Sequence, residues 1–196
     1  MSTFATAARR SGVALAAALI FTASAAAAQE APKWVVDHAT SELGFDSSAE
    51  GQQFHGHFEK WDADIHFDPK NLGGSKVVVT VETGSIASGD GQRDQTAQSG
   101  DWLASTLFPK ATFTATSFKD LGGGKYEADG DLSIRGKSMP LALPFSLSIN
   151  GDQAKMSGEA TIDRSTFDVG KGDYGGADVV PLEVGLKVEL TASRAK

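Results

Sequence analysis

From residue 33 onward, apolar and polar residues alternate with a period of two along most of the chain. This period is typical of β-strands that bury one face and expose the other. The apolar series run over Trp61–Phe67, Val77–Val81, Phe113–Ser117, Tyr126–Ile134, Met139–Ile149, Ala154–Ile162 and Val180–Leu190. Glycine-containing turns separate several of them, at Leu121–Gly124, Arg135–Ser138 and Asn150–Asp152. The pattern predicts eight or nine strands, several of ten residues or more, and one helical segment over Gly91–Ala104.

The length of these strands favours a barrel. No strand is apolar on both faces throughout, which argues against a parallel sheet covered by helices on both sides. Long antiparallel strands with one wet face must close into a barrel or stack as a sandwich, because open edges invite aggregation. Sandwich strands are usually nearer ~5–6 residues. We therefore expect an all-β fold, an extended antiparallel up-and-down β-barrel of about eight strands.

The inward face of this barrel is the candidate ligand site. Its residues are mostly Val, Leu, Ala and Gly, with few large aromatic rings, which favours an elongated apolar cavity over the alternative of a filled core. The candidate lining consists of Ile65, Phe67, Val77, Val79, Val81, Phe113, Leu132, Ile134, Leu141, Leu143, Phe145, Val184, Leu186 and Val188. Trp102, Leu103 and Phe108 are expected near one mouth as a cap.

The N-terminus has the pattern of a secretory signal peptide. Arg9 and Arg10 precede an apolar run over Gly12–Ala28 that ends in an A-x-A cleavage pattern. The strongly apolar part is shorter than the ~20 residues of a membrane span. We expect a signal peptide at 1–28, with ordinary secretion preferred over twin-arginine export, and a periplasmic domain at 29–196 without a further span.

Composition excludes several classes of function. The formal charge of −7 argues against nucleic acid as a partner, because phosphate binding needs a basic face. The absence of cysteine excludes disulfides, Cys-ligated metals and thiol nucleophiles. Strand carboxylates alternate outward into water, and no Ser-His-Asp arrangement is evident, so we expect no enzyme and no cofactor.

Histidines provide the main alternative to an apolar site. His55 and His57 share one face of a strand, and His66 lies a few residues beyond them. Two histidines at i and i+2 are a reasonable start to a zinc or copper site. However, the inward face of that strand is expected to carry Phe54, Gly56 and Phe58. The histidines alternate with them and are therefore expected to face solvent.

A series of short motifs, in order along the chain, carries a family resemblance. These motifs are Trp34–Asp37, Ser41–Phe45, Phe54–Phe58, Gly84–Ile86, Arg93–Asp94, Ser99–Leu103, Phe108–Phe113, Gly130–Gly136 and Ile162–Phe167. Together they resemble the YceI-like family of bacterial periplasmic polyisoprenoid-binding proteins, from Trp34 to the C-terminus. The resemblance implies an extended, lipocalin-like barrel whose pore holds a long isoprenoid chain of polyprenyl or quinone type.

Three functions follow as hypotheses. The first is a carrier or store for an isoprenoid lipid or isoprenoid quinone, and the second is an exported metal-binding barrel. The third is a stress or interaction protein with a filled lumen. Arg93, Asp94 and Arg164 either contact a ligand head group or tie the helical segment to neighbouring loops. Pairing of two barrels into a homodimer through exposed edges is left open.

Overall fold

The computed structural model describes residues 31–196, so the predicted signal peptide at 1–28 lies outside the described residues. Within this range the chain forms eleven strands and one α-helix, α1, at Gly91–Gln98. The strands are β1 (Lys33–Val36), β2 (Glu42–Ala49), β3 (Gln52–Phe58), β4 (Trp61–His66), β5 (Lys76–Glu82), β6 (Ile86–Ala87), β7 (Lys110–Gly122), β8 (Lys125–Ile134), β9 (Lys137–Asn150), β10 (Gln153–Asp163) and β11 (Glu183–Arg194).

Antiparallel pairing closes eight of these strands into a barrel. The ring runs β1-β4-β5-β7-β8-β9-β10-β11 and closes because β1 pairs with both β4 and β11. Five of the strands, β7 to β11, are at least ten residues long, and tight turns join β7 to β10 in sequence. The expected closed, antiparallel up-and-down barrel of about eight strands with one short helix is confirmed.

At one end of the barrel, bends in three of its strands divide the wall. Strands β2, β3 and β6 continue the lines of β1, β4 and β5 beyond short irregular segments, and they pair in the order β11-β2-β3-β6. Here β5 gives way to β6 through a 3₁₀ turn at Thr83–Ser85, and β6 has no pairing with β7. Helix α1 and residues 99–109 connect these two strands. We call this the upper end of the barrel.

An aromatic cluster fills the opposite, lower end. The ring of Phe67 lies 5.3 Å from Phe118, 5.6 Å from Tyr126 and 6.0 Å from Phe145, each near edge-to-face. Trp34 is buried in the same cluster, and its indole nitrogen donates to the carbonyl of Phe67 at 2.9 Å. Edge-to-face rings at these separations attract each other beyond their area burial, so this end is a packed core.

Two predicted boundaries and one predicted facing are wrong, each for a local reason. The helix ends at Gln98 rather than Ala104. A series of tight turns begins at Ser99, and Ala104 has a positive φ of 48°, so the backbone does not stay helical to Ala104. The last strand begins at Glu183 rather than Val180, since Pro181 has no N–H for a ladder. A register shift between Ala115 and Ser117 turns Phe118, rather than Ser117, toward the lumen.

Candidate functional site

The barrel encloses an apolar cavity of about 230 Å³, which we call the lower chamber. Fourteen of the predicted residues line it: Ile65, Phe67, Val77, Val79, Val81, Leu103, Phe113, Leu132, Ile134, Leu141, Leu143, Phe145, Leu186 and Val188. The strand period explains this placement, because residues two apart on β5, β8, β9 and β11 face the same side. Thr83 also lines the chamber, but its hydroxyl already donates to the Phe108 carbonyl at 2.8 Å.

Sequence reasoning missed several large side chains of the lower chamber. These are Trp34, Leu43, Phe58, Trp61, Phe118, Leu147, Ile149, Met156 and Leu190. The same alternation extends to Phe58, Trp61, Leu147, Ile149, Met156 and Leu190, so this signal could have found these six. It could not find Phe118, because the β-bulge before it reverses the alternation.

A second cavity of about 190 Å³ adjoins the first at the upper end, and we call it the upper chamber. Both chambers are lined by Phe58, Leu103, Ile134 and Leu186, so these four side chains form the boundary between them. Two predicted residues, Trp102 and Val184, line only the upper chamber. The lumen is therefore hollow along much of its length, and its two hollow parts meet at the level of these four side chains.

Phe108 was predicted to cap a mouth of the cavity, and the structure places it elsewhere. It lines neither chamber. Its ring packs near Gly136, in the turn between β8 and β9, and the guanidinium of Arg135 lies 6.0 Å from the ring centre. The residue follows the helical segment, as expected, but its ring packs against that turn rather than over the cavity.

The upper chamber has more polar residues in its wall than the lower one, although the surface that it exposes to the cavity is almost entirely apolar. Its lining includes Ser47, Ser88, Arg93, Asp94 and Arg164. Asp94 accepts hydrogen bonds from the backbone N–H of Ser88 at 2.8 Å and from its hydroxyl at 2.6 Å. The Arg93 guanidinium lies 4.0 Å above the ring of Phe54 and donates to the Ser88 carbonyl. These contacts tie α1 to β3 and to the end of β6.

Arg164 is only 2 % exposed and is bound entirely by backbone carbonyls. They belong to Val169, Gly170, Tyr174, Gly176, Val180 and Pro181, at 2.8–3.2 Å. Burial lowers the pKa of this guanidinium from its ordinary value, although it stays protonated at neutral pH. Because all five N–H donors are engaged, Arg164 holds the loop over the upper chamber in place and has none left for a ligand.

Two buried polar atoms of the upper chamber have no partner among residues 31–196. The indole nitrogen of Trp102 and the hydroxyl of Ser47 are both shielded from solvent and form no hydrogen bond there. Ser47 is 9 % exposed and lies on β2. The indole ring of Trp102 is held by the Tyr174 ring at 5.3 Å and by the Arg164 guanidinium at 5.1 Å. A buried donor without an acceptor is costly, and neither atom is exposed to the chamber.

The three histidines of the predicted metal site do not converge. His55 lies outside the barrel wall, with its two ring nitrogens 2.8 Å from Asp46 and 3.0 Å from Glu42. The hydrogen bond to Asp46 is the main cause that raises the pKa of His55. His66 lies on β4, which does not pair with β3, and contacts the Ala31 carbonyl. Among residues 31–196 no three His, Asp or Glu side chains are arranged to hold a metal ion.

Comparison with known proteins gives consistent matches over most of the chain. Residues 34–192 match the profile of the YceI-like domain. A UPF0312 protein of Vibrio campbellii is 32% identical over 167 residues, covering 81% of this chain and 85% of that protein. Protein YceI of Shigella flexneri is 33% identical over 148 residues, covering 72% of this chain and 75% of that protein.

Solved structures match at the level of the fold. The crystal structure of BcnA from Burkholderia cenocepacia has a TM-score of 0.78 and 30% identity, covering 81% of this chain and 100% of that one. A polyisoprenoid binding domain from Saccharophagus degradans has a TM-score of 0.67 at 14% identity, covering 84% of this chain and 99% of that one. Within residues 31–196, no helix has the length and apolar character needed to cross a bilayer.

Proposed function

This chain belongs to the YceI-like family, and from that premise we propose that it binds a long-chain isoprenoid lipid of polyprenyl or quinone type inside its barrel. In this proposal it acts in the periplasm as a carrier or store and catalyses no reaction. The Saccharophagus degradans protein is described as a polyisoprenoid binding domain, and we extend that ligand class to this chain.

The pair of adjoining apolar chambers is the single observation that carries the proposal. An isoprenoid tail has no hydrogen-bonding groups, so shape and apolar surface are enough to bind it. The lower chamber offers them through strands β4, β5 and β7 to β11. At about 0.3 kcal/mol per heavy atom, a forty-carbon chain reaches roughly −12 kcal/mol, or about nanomolar affinity.

The proposed location and the proposed lack of catalysis rest on different observations. The location rests on the predicted signal peptide, with its basic pair at Arg9 and Arg10. The lack of catalysis rests on the chemistry of the two chambers. The lower one is lined almost entirely by apolar side chains, and the charged groups of the upper one are engaged with backbone, with a hydroxyl or with an aromatic ring.

Native mass spectrometry of the protein released from the periplasm of its own host tests the proposal. We expect the mature protein, without residues 1–28, to appear in the osmotic-shock fraction with an adduct of several hundred daltons that extracts into organic solvent. Leu186→Asp places a charge at the boundary between the chambers and Leu143→Asp places one in the lower chamber, so both should abolish the adduct. Val79→Phe, which occupies apolar space without adding charge, should reduce the adduct and keeps the test valid if the Asp variants do not fold.

The matched control is the double variant His55→Ala with His57→Ala. His55 points outside the barrel, so lipid loading should be unchanged. Equal loading of wild type and all lumen variants would contradict the proposal. A bound metal that is lost only in the histidine variant would instead support the metal-binding alternative, and a bare mass throughout would support the ligand-free one.

A further inference from the structure

We infer that the ligand enters and leaves the lumen sideways, through an unpaired stretch of the barrel wall between β9 and β10. We call this stretch the seam, and its two sides are residues 138–144 of β9 and residues 159–163 of β10. This route rests on the proposed function and adds to it the place where an isoprenoid chain crosses the wall.

The seam begins where the pairing of two neighbouring strands stops. Strands β9 and β10 pair over residues 145–150 and 153–158, and within the described part of the chain no pairing joins them beyond that stretch. On its other side β9 stays paired with β8 as far as Lys137, and β10 stays paired with β11 as far as Asp163. The two strands can therefore part along the seam without breaking a ladder, whereas parting at a paired position breaks several backbone hydrogen bonds.

Two prolines on β9 explain why the pairing stops. The N–H of Leu147 bonds a carbonyl on the β8 side, so the even-numbered residues of β9 direct their backbone groups toward β10. Pro140 and Pro144 therefore occupy positions where a ladder to β10 needs an N–H, and proline has none. The sequence thus builds β9 as an edge strand along the seam, although β9 lies between two neighbours in the ring.

The seam is bounded at both ends. At its lower end the strands approach so closely that a Cβ atom at Gly158 would lie 3.1 Å from the Pro144 carbonyl oxygen. At its upper end the Lys137 ammonium lies 2.9 Å from the carboxylate of Asp168, and both side chains are well exposed, so this ion pair is easily broken. Between these limits the seam follows β9 for roughly 20 Å at about 3.3 Å per residue, which is long enough to admit an extended chain sideways.

Both chambers adjoin the seam. Along its inner face, Leu141 and Leu143 line the lower chamber, and Ile162 lines the upper one. Ala160, with its small side chain, lies next to Ile162 on that face of β10 and packs against the cluster that contains Leu143. A chain that passes between the strands therefore meets apolar side chains and has access to both chambers.

Another break in the upper wall, between β6 and β7, is bridged by hydrogen bonds. There the Asp94 carboxylate of α1 accepts from the N–H and the hydroxyl of Ser88, at 2.8 and 2.6 Å. The buried Thr83 hydroxyl donates to the Phe108 carbonyl at 2.8 Å. Opening the wall there costs these bonds, so the seam is the easier route.

A removable link across the seam tests this route. The chain has no cysteine, so Ala142→Cys with Thr161→Cys creates a single pair of thiols on the exposed face of the seam. The linker is ethane-1,2-diyl bis-methanethiosulfonate, which is short and is released by a reducing agent. Uptake of menaquinone-4 from phosphatidylcholine vesicles is followed by quenching of tryptophan fluorescence, since Trp34 and Trp61 line the lower chamber. Protein linked before loading should lose rapid uptake, protein linked after loading should retain its quinone, and reduction should restore exchange in both.

The matched control places the same linker between the same strands where they are paired, at Ser146→Cys with Ser157→Cys. Its uptake should equal that of the unlinked protein. Unchanged uptake in the seam-linked protein would overturn the route and leave lipid binding intact. Loss of quinone in both orders of linking would also overturn it, because the linker would then distort the lumen rather than block entry. If the unlinked protein takes up no quinone, the proposed function itself fails.

Restoring the missing donors provides a second test. Pro140→Thr with Pro144→Thr returns two N–H groups, which face the carbonyls of Asp163 and Glu159 if the register continues across the seam. Uptake should slow by about tenfold or more, the effect of two added ladder bonds. The backbone amides of β10 along the seam should also exchange with deuterium more slowly than in the wild type. Slower amide exchange with an unchanged uptake rate would mean that the seam closes without hindering the ligand, and the route would be wrong.

Discussion

Arg164 is a buried cation that organises a long connection without any carboxylate partner. Its guanidinium joins six carbonyls spread over residues 169–181, between β10 and β11. The neighbouring Asp163 is turned away and accepts from the N–H and hydroxyl of Ser165, which lowers its pKa. The Arg164 side chain thus supplies donors for backbone carbonyls that have no β-sheet partner in this long loop.

Replacing Arg164 by methionine, which has similar reach but no donors, should destabilise the protein strongly. Several of the six carbonyls would remain buried without a donor, so we expect a loss of more than about 2 kcal/mol in the free energy of unfolding measured with urea. Arg164→Lys should rescue little, because three donors on one atom cannot replace a planar fork. Lys33→Met is the control, since Lys33 forms an ion pair with Asp64 at 2.9 Å in which both side chains are about half exposed, and it should lower the stability far less. A loss from Arg164→Met no larger than the control would contradict this role.

At the scale of elements, alternation in the sequence predicts the strands well and fails where a local backbone feature interrupts it. The series from Met139 to Ile149 forms one side of β9, as the period of two requires. On β7 the bulge after Ala115 shifts the register, and no residue type in Thr114–Ser117 indicates it. The helix predicted over Gly91–Ala104 includes Asp101–Leu103, whereas the backbone leaves the helix at Ser99.

The role of Arg164 could not be predicted for a different reason. Its partners are carbonyls, which every residue possesses, so the sequence contains no complementary side chain to indicate the contact. The division of the lumen into two chambers is equally hard to predict. Its boundary side chains, Phe58, Leu103, Ile134 and Leu186, come from four separate segments, so no single periodic pattern indicates it.

Close packing of β3 against β2 depends on Gly56. A Cβ atom at this position would collide with the ring of Phe45, which is itself packed against Phe54 and Phe58 at 6.3 and 5.8 Å. Gly56→Ala should therefore cost about 1–3 kcal/mol of unfolding free energy. Gly73→Ala is the matched control, because no atom lies within 4 Å of the point that its methyl group would occupy and its backbone is unstrained; we expect a change below about 0.5 kcal/mol. Equal effects of the two substitutions in thermal or urea unfolding would contradict this account of the packing.

At the scale of the whole molecule, the two chambers form one elongated lumen that is filled by aromatic rings at its lower end. Helix α1 and the loop organised by Arg164 cover the upper end, and the cluster around Phe67 fills the lower end. The plug at the lower end sets a fixed limit on how far a bound chain can extend into the barrel.

This fixed limit predicts a break in the dependence of affinity on chain length. Across a series of isoprenoid quinones, each added five-carbon unit should strengthen binding by up to about 1.5 kcal/mol, or roughly tenfold, until the tail reaches the aromatic cluster. Beyond that point affinity should level off or fall, because further units meet packed rings. Phe118→Ala removes one ring of the plug and should move the break to a longer chain, at some cost in stability. Leu121→Ala, at an exposed site on the same strand, should leave the break in place. A smooth rise through all chain lengths, identical in the three proteins, would mean that the tail leaves the barrel rather than ending against the cluster.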